Sequence, residues 1–351
     1  MRRERTGRAK IMKVTIKKIA EEAGVSVTSV SNVINNKAHR VSKEKREQIN
    51  AIIKKYNYSP NMNARALVQS SSRLIGLLYY SQKPRLDFSD PFVTDVLEGI
   101  ESIAKPKGFF TLVHNVSLAK DIADIQKNWK FDGLIAVGFN QALFEKIHES
   151  LSVPIVFIDT HLDQRVYHNL TSYPDRYFIN TNDRVVAAMA TDFLLENQHE
   201  EIAFLSYDFD EGETSVIQQR FLGYKLALEK RGLAFRSEVV YTDEEFEKML
   251  ADHKQYTAVL VTADYLAMQF IQFMKKNQAF REIGLSVISL DDIKYAQLND
   301  PPLTTIRLDQ VRKGELAMEK IEKLVKGEEE VEQMTVLPGQ LIIRETVQKR
   351  K

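Results

Sequence analysis

The feature that most restricts this chain is an alternation that begins at Leu74. Short apolar runs recur there: "LIGLLYY", "FFTLVH", "GLIAVG", "PIVFIDT", "EIAFLSY", "EVVYT", "AVLVT" and "LSVISLD". Amphipathic stretches of helix length, such as "PFVTDVLEGIESIAKPKG", "DRVVAAMATDFLLENQ" and "RFLGYKLALEKRG", separate most of them. A strand covered on both faces reads as a continuous apolar run, and strands joined through helices lie parallel in one sheet. Eight such runs over residues 74–351 are too many for one small sheet, so two doubly wound lobes are expected. Ligands in such sheets sit beyond the carboxyl ends of the strands, which between two lobes means an interlobe cleft.

Charge divides the chain a second way. It carries 49 Lys/Arg and 48 Asp/Glu in all, but residues 1–73 hold 17 of the former and 5 of the latter. The remainder is acidic, with 32 basic and 43 acidic side chains. A basic module on an acidic body points to a polyanionic partner for one and a different partner for the other. The start, "MRRERTGRAK", has the charge of an export leader without the apolar run. Met12 opens "MKVTIKKIA", so residues 1–11 are expected to be a disordered basic extension or to precede the true start. There is no cysteine, which excludes disulfides, thiolate nucleophiles and zinc–thiolate sites. No run approaches the roughly 20 apolar residues of a membrane span. A cytoplasmic protein with no membrane partner is the expectation.

Within the basic module, Thr15 is placed to cap a helix in which Ile16, Ile19, Ala20 and Ala23 share a face. Gly24 stands where that helix must stop, since glycine takes positive φ without a Cβ clash. "GVSVTSVSNVIN" begins with strand-like alternation, yet Val27, Val30, Val33 and Ile34 recur at helical spacing, with Ser26 as cap. Two short helices around a tight turn are the helix-turn-helix plan, whose second helix enters the DNA major groove. Ser42 caps a third helix, with Ile49, Ile52, Ile53 and Tyr56 as its apolar stripe and Lys43, Lys45, Arg46, Lys54 and Lys55 outside it. A further helical turn can begin at Pro60 or Asn61, but Ala64, Leu67 and Val68 give it too thin a stripe to hold alone in water. "QSSSR" then reads as a linker.

The segment "VTIKKIAEEAGVSVTSVSNVINNKAHRVSKEKREQINAIIKKYNYSPNMNARAL" resembles the headpiece and hinge of the lactose/galactose repressor (LacI/GalR) family nearly position for position. The resemblance implies that Val27, Thr28 and Asn32 read bases, and that Leu67 wedges into the minor groove at the operator centre. It further implies DNA contacts from Thr15, Ser26, Ser29, Asn35 and His39, and from Asn61, Ala64 and Arg65 of the hinge. Asn32 stands where the family commonly has arginine, and its amide matches adenine N6/N7 better than guanine. The loop "NNKAHRVS" is one residue longer than usual.

The likeness continues through "SDPFVTDVLEGIE", "FDGLIAVG", "RFLGYKLAL", "SVISLDD", "PPLTTIRLD" and "LPGQLIIRETV", which resemble the family's effector-binding core, itself similar to periplasmic sugar-binding proteins. It implies that Arg220 grips effector hydroxyls and that Asp291 is a cleft carboxylate. Asp264 is a candidate ligand that also suits a helix cap, and Phe92 either walls the cleft or joins the core. Trp129 reads as packing. Ala263 replaces a usual asparagine, the usual "DN" pair is reversed as Asn182-Asp183, and Val186 replaces the glycine after it. An extra tract, "THLDQRVYHNLTSYPDRYF", lengthens the crossover; its His161 and His168 lack a third ligand and make a poor metal site.

The expected architecture is multi-domain: an all-α helix-turn-helix headpiece (12–59), a hinge helix and linker (60–73), and a two-lobed α/β periplasmic-binding-protein-like core with doubly wound parallel sheets (74–346). Lobe 1 is expected over about 74–161 and 292–327, and lobe 2 over about 178–291 and 328–346. The expected function is a sequence-specific transcriptional regulator, a repressor, controlled by a small sugar-like effector. An enzyme would need a phosphate-cradling loop, a metal set or a nucleophile–base pair, and none of GxGxxG, GxxxxGK[ST] or HExxH is present. An exported receptor would need a leader and no headpiece. No cofactor or metal is expected. The partners are operator DNA, the effector and a second copy, a homodimer rather than a tetramer because no heptad segment follows "RETVQKRK".

Overall fold

The computed structural model describes residues 14–34, 38–58, 71–81, 88–149, 151–328 and 332–350. They fall into two compact units, one ending at Ser72 and one starting at Arg73.

In the first unit, α1 (Ile16–Ala23), α2 (Val27–Ile34) and α3 (Lys43–Lys55) enclose a small core. The expected caps form: Thr15 Oγ1 accepts from Lys18 N at 3.4 Å, Ser26 Oγ from Ser29 N at 3.1 Å, and Ser42 Oγ from Lys45 N at 3.4 Å. Gly24 ends α1 at φ 60°. Ile19, Ala20, Ala23, Val30, Val33, Ile49 and Ile52 are buried together, with Ile34 and Tyr56 packed at the edge. The valine-rich segment is helical because only that period turns Val30 and Val33 onto α1 and α3 together. Lys55 Nζ and the Tyr56 hydroxyl both donate to Glu22 at 2.6 Å, stapling α3 to α1. The hinge helix expected over 60–73 lies outside the described residues as far as residue 70.

The second unit alternates as the sequence suggests. Its first half runs β1 (Leu74–Tyr80), α4 (Pro91–Ala104), β2 (Phe110–Val116), α5 (Ala119–Asn128), β3 (Gly133–Val137), α6 (Gln141–Ile147), β4 (Ile155–Ile158), α7 (Gln164–Tyr167) and β5 (Arg176–Thr181). Then follow α8 (Asp183–Glu196), β6 (Ile202–Ser206), α9 (Val216–Lys230), β7 (Val240–Thr242), α10 (Phe246–Ala251), β8 (Ala258–Val261), α11 (Asp264–Lys276), α12 (Ala279–Ile283), β9 (Ser286–Asp291) and β10 (Thr304–Arg307). The chain closes with α13 (Gln310–Val325), β11 (Met334–Leu337) and β12 (Gln340–Ile342). Two six-stranded sheets result, ordered β11-β5-β4-β3-β1-β2 and β12-β10-β9-β8-β6-β7. The paired strands run parallel throughout, with typical registers Leu77↔Val113 and Leu77↔Ile135, except that β12 is antiparallel to β10.

The lobe boundaries differ from those expected. Strand β5 belongs to the first sheet, where it pairs with β4. The 292–327 span does not return to lobe 1 as a block, because Thr304–Arg307 pairs with Ile288–Asp291 in the second sheet. Only from α13 is the chain back in the first lobe, and β11 pairs with β5 there rather than joining lobe 2. The chain thus crosses between lobes at residues 181–183, 307–310 and 337–340.

Each lobe uses one close helix crossing. A Cβ on Gly99 of α4 would lie 2.0 Å from Val311 O of α13, and one on Gly314 would lie 2.3 Å from Val96 O. In the second lobe a Cβ on Gly223 of α9 would lie 2.2 Å from Arg184 O of α8. Among the described residues, no helix is long and apolar enough to cross a membrane.

The C-terminal segment is stitched onto the second lobe. Thr346 Oγ1 donates to Val287 O at 2.7 Å, and buried His199 holds Gln348 O at 2.8 Å and Thr257 Oγ1 at 3.0 Å. Burial lowers the His199 pKa below its ordinary value, so the folded chain disfavours the imidazolium. The unfolded histidine takes up its proton near pH 6.5, and stability is full above that value and falls as pH drops through it. Urea unfolding from pH 8 to pH 5 is expected to show this loss, and His199→Gln to flatten that part of the profile. An unchanged profile in the variant would refute the assignment.

Candidate functional site

The structure presents two sets of functional side chains, one on each unit. On the first unit, burial of Val30 and Val33 turns the opposite face of α2 outward. Val27, at the helix start, is 43% exposed. Thr28 is exposed, and Ser29 and Asn32 are half-exposed. Ser26 spends its hydroxyl on the helix, accepting from Ser29 N and sharing a 3.0 Å bond with Ser29 Oγ. Thr15 likewise caps α1, while His39 is exposed. Lys55, one of the expected outer cations, is tied to Glu22. The proposed contacts Asn35, Asn61, Ala64, Arg65 and Leu67 lie outside the described residues.

On the second unit, the carboxyl ends of β4, β5, β6, β8 and β9 converge on a charged cluster. Arg220, one turn into α9, is buried. Its Nε donates to Asp183 Oδ1 at 2.7 Å, its Nη1 donates to the Thr262 carbonyl, and its Nη2 lies 3.9 Å from Asp291 Oδ1. His161 Nε2 donates to the other oxygen of Asp183 at 2.6 Å. The reversed pair explains this geometry: Asn182 takes over the cap, accepting from Val185 N at 3.2 Å, and Asp183 is released to hold Arg220. Beside them, the buried Lys313 Nζ contacts both oxygens of Asp159, at 2.7 and 2.8 Å.

Environment separates these carboxyls. Burial alone would raise Asp183, but the charge of Arg220 and the His161 hydrogen bond outweigh it and hold Asp183 below the usual carboxylate range. Burial wins at Asp291, pushed well up against the opposing pull of Arg220 and helped by Asp264 and Asp90. The backbone is also strained there: Asp159, Asp291 and Asp292 have φ of 48°, 125° and 58°. Such positions cost about 1–3 kcal/mol each and cluster at functional sites. Among the described residues, several buried polar atoms around the same strand ends have no hydrogen-bond partner: Thr181 Oγ1, Ser206 Oγ, Thr262 Oγ1 and both amide atoms of Gln310. A ligand carrying both donors and acceptors is what such a set is built to meet.

Asp264 is not part of that set. Its carboxyl is fully buried in the second lobe, accepting from Ser289 Oγ at 2.5 Å, Thr305 Oγ1 at 2.6 Å and Ile293 N at 2.9 Å. Burial raises its pKa to about 7 against those hydrogen bonds. It ties α11 to β9 and β10 and has no exposed surface. Phe92 is half-buried against the core of the first lobe. Trp129, expected as packing, is 46% exposed at the end of α5. Among the described residues no cluster suited to a metal occurs. Sequence reasoning missed Asp159, Asp183, Gln310 and Lys313. For Lys313 a signal existed: it shares one helix face with Ala317 and Ile321, where a cation needs a buried partner.

Comparison with known proteins shows what the chain is similar to. The family model of bacterial regulatory proteins of the lacI family matches residues 15–61, and that of a periplasmic binding protein-like domain matches residues 191–347. Residues 15–61 therefore carry a lacI-family regulatory domain, ahead of a periplasmic binding protein-like one. The HTH-type transcriptional repressor PurR of Vibrio campbellii is 29% identical over 350 residues, covering 95% of this chain and 99% of the relative. Its counterpart in Histophilus somni is 26% identical over 345 residues, covering 95% and 98%. A lac repressor dimer bound to operator and the anti-inducer ONPF shares the fold, with a TM-score of 0.76 at 24% identity over 95% of this chain and 99% of that one. The match at residues 15–61 and the repressor relatives together support a DNA-binding transcriptional regulator.

Proposed function

We propose that a homodimer of this chain grips a two-fold operator through α2 and the segment after α3, and that a small hydroxyl-rich ligand, a sugar or sugar derivative, sets its affinity from the interlobe cleft. Arg220 carries the second half of this reading: it is buried between Asp183 and Asp291, and Nη2 makes no closer approach than 3.9 Å to Asp291. A guanidinium beside the Asp291 carboxyl and a row of hydroxyls suits vicinal hydroxyl groups, which donate and accept at neighbouring atoms. By linkage, ligand and operator change one another's affinity by the same factor.

Selection of operator sequences by the wild-type and Asn32→Ala proteins tests the DNA half. The variant is expected to lose about 1–3 kcal/mol on the best site and to relax one position in each half-site. Wild-type affinity is expected to fall steeply with salt as phosphate contacts release counterions. Unchanged selectivity in the variant would remove Asn32 from the reading face. A thermal-shift panel of neutral sugars, sugar phosphates and nucleobases tests the cleft. A ligand at about 100 times its Kd adds about 2.7 kcal/mol of stability, and Arg220→Met is expected to abolish the gain. A shift given by nucleobases alone overturns the sugar reading.

A further inference from the structure

The tract between β4 and β5 is tied to the first lobe by hydrogen bonds and by buried side chains. Thr160 N donates to Asn180 Oδ1 at 3.0 Å, and Asn180 Nδ2 donates back to Thr160 O at 2.7 Å. The Tyr167 hydroxyl donates to the same carbonyl at 3.1 Å and accepts from Leu162 N at 3.0 Å. Leu162 and Val166 are buried in the first lobe's core. His161 therefore projects from a fixed base, flanked on both sides by clamped backbone.

What it reaches belongs to the other lobe. Its Nε2 lies 2.6 Å from Asp183 Oδ2 on α8, and Asp183 Oδ1 holds Arg220 Nε at 2.7 Å on α9. The same tract makes a second interlobe contact. Gln141 holds Asp163 by two hydrogen bonds, of 3.0 and 2.6 Å, and Thr214, just before α9, donates to Asp163 Oδ1 at 3.5 Å. Both contacts converge on the helix that carries Arg220.

We propose that His161 is a positioning residue for the effector site: it latches the first lobe onto the Asp183–Arg220 pair, so that bringing the lobes together fixes the guanidinium that meets the ligand. The proposal rests on the cleft being the effector site. A carboxylate with one oxygen on Arg220 keeps its second oxygen unsatisfied in a dry cleft unless a donor arrives from the facing lobe. His161 is that donor. With the lobes apart, water takes the position and the guanidinium is freer to swing. The latch makes closure and ligand grip one event rather than two.

Because the chain has no cysteine, one spin-label pair can be placed cleanly, at Lys146→Cys on α6 and Glu247→Cys on α10, both exposed. Electron–electron dipolar distances in the full-length protein are expected to give one narrow separation. His161→Ala is expected to shift the distribution to longer, broader separations. His161→Gln, whose Nε2 reaches as far and still donates, is expected to restore the narrow one. In an Asp183→Ala background, His161→Ala is expected to add no further shift. A wild-type distribution in His161→Ala overturns the latch, as does an equal shift in the Ala and Gln variants, since that is loss of packing. Absence of any cleft ligand in the thermal-shift panel overturns the effector reading while leaving the distances untouched, so the two failures are distinguishable.

Discussion

Lys313→Met is expected to destabilise the second unit by about 3–5 kcal/mol, the cost of leaving one member of a buried ion pair without its partner. The ammonium is fully buried and Asp159 is 4% exposed, so neither charge can fall back on water. Its effect reaches beyond Asp159, because Lys313 also pulls on Asp183 and Asp291 and belongs to the electrostatics of the cleft. Removing both charges should cost far less. Lys313→Met combined with Asp159→Gly is expected to recover most of the loss, since glycine accepts φ 48° and the methionine thioether fills the stem's volume. Urea unfolding of the single and double variants measures this. A Lys313→Met protein as stable as the wild type would show that the pair is not desolvated in solution.

Gly314→Ala is the second large effect, and its sign is diagnostic. At an ordinary helical position this change gains up to about 1 kcal/mol. Here the new methyl would stand 2.3 Å from Val96 O, 3.0 Å from Ile100 N and 3.2 Å from the Gly99 Cα, so the backbones of α4 and α13 must part. Parting them opens the layer in which Ala317, Met318 and Ile321 pack on the first sheet. The expected loss is about 3 kcal/mol or more, at the upper end for overpacking. Gly223→Ala should do the same to the second lobe through Arg184 O at 2.2 Å. A gain in stability for either would mean that the helices cross at a looser distance.

Local chemistry was readable because it is written locally. Thr15, Ser26 and Ser42 cap helices from their own side chains, Gly24 supplies its own φ, and the eight apolar runs became strands. What escaped depends on residues far apart in sequence. Strand β5 hides behind a polar tract and reveals itself only through pairing with β4 and β11. The lobe assignment of Thr304–Arg307 is a matter of register with β9, which nothing in "PPLTTIRLD" announces. Arg220 was found by resemblance, but its partner Asp183 lies 37 positions away, and the Asp159–Lys313 pair spans 154. Asp264 misled for the same reason: a carboxylate at a helix start looks available until Ser289 and Thr305 arrive from two other strands.

The crossings at residues 181–183, 307–310 and 337–340 bear on how such a repressor can change over generations. Neither lobe is a contiguous stretch of gene, so recombination cannot exchange one lobe for another as a cassette without severing both sheets. The first unit, by contrast, is one contiguous stretch ending at Ser72. The second unit, with Arg220 at its centre, can change lobe by lobe only through point substitution.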